Sequence, residues 1–148
     1  MSEFKNENVK GKNIAFASDI VKEILEKNGW DLRLSIKGEM TGVLDPSGGF
    51  GIIVKDKDKD AEFLIEISEV ITSGNITKNG KKCHFLEFVK MGEEVEVTGI
   101  IIPNMVIPGK DGGYISMVAE KANNTGVMLG DGSGQGKIVK YKLGFSVP

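Results

Sequence analysis

The sequence predicts a mainly β domain, a small closed barrel preceded by one short helix. Three observations carry this. From Asp31 onward apolar and polar residues alternate in stretches of strand length, separated by turn residues. A single helical period precedes them. Two glycines, Gly38 and Gly42, fall inside the first alternating stretch, where glycine marks a bulge or sharp bend. The length of 148 residues fits one domain with one core, and 20 glycines supply many turns.

Residues 1–12 are polar and aperiodic and read as a mobile N-terminal arm. Ser18 is placed to cap a helix from Asp19 to about Asn28, closed by Gly29. Ile20, Val21, Ile24 and Leu25 form its apolar face. Asp19 and Glu23 lie toward its positive end and Lys27 toward its negative end. Leu32, Leu34 and Ile36 then alternate with Arg33, Ser35 and Lys37, which predicts a long first strand to Leu44. Asp45–Gly49 is a turn, and Phe50–Lys55 a second strand. Asp56–Asp60 is a charged hairpin tip, and Glu62 to about Thr72 a third strand.

Ser73–Lys82 is polar and contains the tight-turn pair Asn79-Gly80. Phe85, Phe88 and Val89 recur at helical spacing and predict a short helix over Cys83–Met91, with a strand as the alternative. A fourth strand starts near Val95 and extends through Ile102. Pro103 and Pro108 bound an apolar loop that would cover the barrel or touch another subunit. Tyr114–Ala122 is the fifth strand. Gly126–Gly136 reads as a glycine-rich linker, and Lys137–Val147 alternates again. The domain division is therefore an arm at 1–12, a barrel with its leading helix at 13–126, and a linker with a C-terminal segment at 127–148. Five strands in a meander, a helix between the third and fourth, and a first strand bent at glycines describe a barrel of the OB type.

Charge and chemistry narrow the function classes. Lys and Arg number 19 against 21 Asp and Glu, a net charge of -2, which argues against a strongly basic duplex binder. Arg33 is the only arginine, and base-edge readout favours arginine forks. Lysine serves backbone phosphate as a point charge. One cysteine, Cys83, excludes an internal disulfide, and His84 is the only histidine. Adjacent side chains on a regular element point apart, so Cys83 and His84 do not form a nucleophilic pair. Asp56, Asp58 and Asp60 have calcium-loop spacing, but Ala61 and Ile67 stand where the loop needs Gly and Glu. The run Gly130–Lys137 fails the phosphate-loop pattern at Asp131 and Ile138, and no dinucleotide fingerprint can be made from it. No catalytic site, metal or cofactor is expected. No stretch approaches the roughly 18 apolar residues of a membrane span, no signal segment opens the chain, and the expected location is cytoplasmic.

Single-strand binders join a cationic path for phosphates to aromatic faces on which bases stack. Phe50 and Tyr114 each follow a Gly-Gly turn, and Trp30 sits at the mouth of the first strand. Arg33, Lys37, Lys55, Lys57, Lys59 and Lys110 are the cations placed to line a path between them. Glu62, Glu66 and Glu69 make the outward face of the third strand acidic, which argues against phosphates crossing there.

The run Lys90-Met91-Gly92-Glu93-Glu94-Val95-Glu96-Val97-Thr98-Gly99 resembles a strand pattern of the single-stranded-DNA-binding protein family of bacteria, phages and conjugative elements. So do Gly109–Tyr114, leading into the last strand, and Gly126-Val127-Met128-Leu129-Gly130 at the end of the core. The similarity covers about 45 residues of the 148. Met91 splits the family's Lys-Gly pair, the helix at 19–28 is not its usual beginning, and Tyr141–Pro148 holds no acid where such proteins carry an acidic tip. The resemblance is to a divergent phage or conjugative-plasmid type. It implies an OB-fold protein that coats single-stranded DNA in replication, recombination or DNA transfer, without catalysis. Self-association is expected through the apolar 103–108 loop or the N-terminal arm. An RNA-binding OB module and a protein adaptor are the alternatives.

Overall fold

The computed structural model describes residues 16–44, 49–68, 76–107 and 113–130, with the side chains of Gly49, Phe50, Ser68 and Phe85 outside that description. The predicted arm, the Asp45–Gly48 turn, Glu69–Thr72, Lys110 and the Lys137–Val147 strand all lie outside the described residues.

Helix α1 (Asp19–Lys27) forms as its caps dictate. The extended Ser18 accepts the Val21 N–H at its hydroxyl, Asp19 lies in the first turn and Lys27 in the last. The chain leaves it through a Schellman turn. Gly29 (φ 68) donates to the Glu26 carbonyl and Trp30 to the Leu25 carbonyl at 2.8 Å. Val21, Ile24 and Leu25 are buried, whereas Ile20, expected on the same face, is 38% exposed.

Among the described residues eight strands follow: β1 (Arg33–Leu44), β2 (Gly49–Asp56), β3 (Ala61–Ser68), β4 (Ile76–Lys78), β5 (Lys81–Lys82), β6 (Glu94–Ile107), β7 (Tyr114–Asn124) and β8 (Val127–Leu129). Five of them close a barrel. β1 pairs antiparallel with both β2 and β6, β2 with β3, and β6 with β7. The parallel pairing of β3 with β7 shuts the ring. Only the first three strands run as a meander; the closure makes the architecture that of an OB-fold-like barrel.

Glycine makes the curvature possible. A Cβ on Gly38 would lie 1.9 Å from the Lys55 carbonyl oxygen, and one on Gly99 2.1 Å from that of Val118. Both distances are impossible for real atoms, so neighbouring backbones touch only because these side chains are absent. Near Gly42 the β1–β2 register slips between Met40 and Gly42, which is the predicted bulge. The interior is filled by alternating residues of all five strands, among them Ile36, Met40, Ile52, Phe63, Ile65, Val97, Ile101 and Met117, each at most 2% exposed.

Between β3 and β6 the expected helix over Cys83–Met91 is a single 3-10 turn, Phe85–Glu87. Its neighbour Phe88 is fully buried, a placement that stabilises by about 1.5–3 kcal/mol. Asn124 Nδ2 donates to the Phe88 carbonyl at 2.6 Å, and Gly92 N–H donates to the Met40 carbonyl at 2.8 Å. One anchored ring, rather than a helical face, explains the apolar spacing there.

The expected 103–108 loop is strand as far as Ile107. The β6–β7 register is irregular between Ile101 and Val106, so Pro103 sits where no ladder donor is needed. Its carbonyl accepts the Ala17 N–H at 2.7 Å, tying the start of α1 to the barrel. Val127–Leu129, expected at the head of a linker, is strand β8, with Val127 and Leu129 fully buried. β8 pairs with β7 and with β4, and β4 pairs with β5, so the sheet continues past the barrel.

Candidate functional site

The barrel wall of β1, β2, β3 and β7 carries most of the sequence-derived candidates. On its outer face Gly42, Ile53, Leu64 and Ser116 lie in register across the four strands. Ile53 and Leu64 are half-buried, and Leu44 nearby is 43% exposed. Gly51 lies opposite Leu44 on one side and Glu66 on the other. The adjoining row runs Glu39, Lys55, Glu62, and alternation along β7 puts Tyr114 on the same face. Lys55 is exposed and Tyr114 half-buried, while Lys57 is exposed at the hairpin tip. A groove of about 400 Å³ adjoins this wall, between Ser18 and Ile20 of the helix end, Asp60 and Ala61, and Val106 and Gly113.

Arg33 and Lys59 are engaged within the fold. Arg33 grips Glu120 with two nitrogens, Nε to Oε1 at 2.9 Å and a terminal nitrogen to Oε2 at 3.3 Å. The Glu120 side chain is 3% exposed, so this guanidinium balances a buried carboxylate. Lys59 donates from Nζ to Asp56 Oδ2 and to the Ser35 carbonyl, both at 3.2 Å. Asp56, 2% exposed, also accepts the backbone N–H groups of Lys37 and Lys59. Asp56, the first acid of the Asp-x-Asp-x-Asp run, therefore fastens the hairpin, while Asp58 and Asp60 are exposed. Among the described residues no cluster of His, Cys, Asp and Glu could hold a metal.

Lys37 pairs with Glu94 at 3.5 Å, but both side chains are more than half exposed. Such a pair contributes about 0–1 kcal/mol and exchanges readily for another anion. Trp30, in left-handed backbone at φ 67, is half-buried against the core with its ring centroid 6.1 Å from that of Phe16. It is a packing ring more than an open platform. Phe50 pairs with Ile67 through the backbone, and its side chain and Lys110 lie outside the described residues. His84 is exposed, and its Nδ1 accepts the Leu86 N–H at 3.2 Å, a local cap on the 3-10 turn.

Sequence reasoning missed Lys78, Lys81 and Lys82, all exposed on the β4–β5 hairpin. The signal was Asn79-Gly80 with lysines on both sides. Asn79 (φ 54) and Gly80 (φ 78) form the two-residue turn such a pair favours.

The barrel thus belongs to the OB-fold-like class of β architectures. No family model matches the chain, and no curated protein matches it. Among solved structures it is similar to an OBody bound to hen egg-white lysozyme, at 13% identity over 64% of this chain and 81% of that one, with a TM-score of 0.42. Among the described residues no helix is long and apolar enough to cross a membrane.

Proposed function

We propose that this chain binds single-stranded DNA without sequence preference and performs no chemistry, covering exposed strands in replication, recombination or DNA transfer. The supporting observation is the outer barrel wall. Its half-exposed apolar strip, Ile53 and Leu64 beside Gly42 and Gly51, is bordered by Lys37, Lys55, Lys57 and Tyr114. The Tyr114 ring offers a face on which a base of any identity stacks, the apolar strip lies beside it, and the lysines meet the phosphates. Glu39 and Glu62 stand directly opposite Lys55. Affinity at the wall therefore comes more from stacking than from charge.

Anisotropy of a labelled oligo-dT, titrated at two salt concentrations beside a duplex of equal length, tests this. Preference for the single strand is expected, with Tyr114→Ala weakening it by about 1–3 kcal/mol. No binding at low salt overturns the reading. A matched RNA competitor that wins makes the chain an RNA module, since the 2′-hydroxyl is what separates the two ligands.

The same near-balance of charge favours a protein adaptor as the second reading. Met105, 48% exposed, with Val106 and Ile107, gives the β6–β7 hairpin an apolar surface for self-association or a partner. A mass in solution equal to one chain, with and without DNA, would remove self-association.

A further inference from the structure

We infer that the tip of the β4–β5 hairpin is a phosphate clamp for the nucleic-acid backbone, built from Lys78 and Lys81; this rests on the nucleic-acid reading above. The turn fixes the geometry. Left-handed Asn79 and Gly80 close a two-residue hairpin whose flanking pair is Lys78 opposite Lys81. Cβ atoms of such a pair lie about 4.5–5.5 Å apart, and like charges placed so repel. Lys82 adds a third cation next in sequence, opposite Thr77. Among the described residues none of the three has an acidic partner, whereas Lys27, Lys37 and Lys59 each have one.

Protection of a sheet edge does not require this arrangement. β5 is the edge strand, and one lysine on it suffices to discourage pairing. Lys78 lies on β4, which is already paired on both sides. The hairpin is also mounted firmly. Ile76 is buried opposite Leu129, and its carbonyl accepts the Cys83 N–H at 3.0 Å. Two ammonium groups on a rigid turn, repelling each other when empty, gain most when an anion bridges them. Phosphate of a flexible single strand has the size and charge to do so, and lysine binds it as a point charge.

The test is a salt series on the full chain with labelled oligo-dT, comparing wild type with K78Q/K81Q and K78E/K81E. Each phosphate contact to a single strand contributes about 0.7 to the slope of log affinity against log salt. The Gln variant should bind more weakly with a slope shallower by about 1.4, and the Glu variant more weakly still. Melting temperature should stay level or rise in the Gln variant, because the repulsion is gone. Wild-type affinity and slope in both variants would overturn the clamp while leaving the nucleic-acid reading intact. Absence of any wild-type binding overturns that reading and the clamp together.

Discussion

The β2–β3 and β4–β5 hairpins both end in lysine-rich turns, yet they use lysine in opposite ways. On the first, a four-residue tip folds Lys59 back onto the buried Asp56 and the Ser35 carbonyl. On the second, a two-residue tip holds Lys78 opposite Lys81, and among the described residues neither has an ion-pair partner. The difference is set by the residue that enters the turn. A buried acid demands a cation, because an unpaired charge inside is far more costly than a paired one. Where no acid is buried, the lysines stay available to a ligand. The buried charges of the barrel are thus paired, whereas the lysines of the sheet extension are exposed.

The largest effect should come from breaking the barrel itself. Gly38→Ala forces a Cβ onto the Lys55 carbonyl, and backbone cannot step aside. We expect a loss of about 3 kcal/mol or more, read by urea unfolding; an unchanged midpoint would mean that the β1–β2 contact is not that close. Comparable in size is Arg33→Ala, which strands Glu120 and should cost about 3–5 kcal/mol. The double variant R33M/E120M should recover most of it and keep wild-type binding to single strands. Should that stable double variant lose binding, Arg33 would be a ligand contact and not a partner held by the fold. The smallest effect belongs to the sheet extension. Gly80→Ala meets open space but sits at φ 78, so strain of about 1 kcal/mol is expected. Amide exchange should quicken over residues 76–82 and stay unchanged in the barrel; faster exchange throughout would show that the two regions unfold as one.

The barrel was legible because its signals are redundant. Ser18, the Val21/Ile24/Leu25 spacing and Gly29 all mark the same helix, and β1 shows period two over most of its length. β4 and β5, three and two residues long, are too short for alternation to register. The extension of β6 past Pro103 was hidden because its register irregularity tolerates proline. In the candidate site, Lys55, Lys57 and Tyr114 were readable as strand and turn positions. The engagement of Arg33 and Lys59 was not, because Glu120 lies 87 positions from Arg33 and the burial of Asp56 depends on the closed barrel. The backbone of Trp30 was not readable for a similar reason. A bulky residue in left-handed backbone is uncommon, and nothing in its neighbours announces it.

The parallel seam between β3 and β7 also bears on the order of synthesis. Phe63 waits for Ile115, about fifty residues later, before its open side is covered. At ribosomal speeds of about 5–20 residues per second, the nascent first three strands stand exposed for roughly 3–10 s. Over that interval Glu62 and Glu66, spaced along the waiting edge strand, discourage the wrong neighbour from docking first.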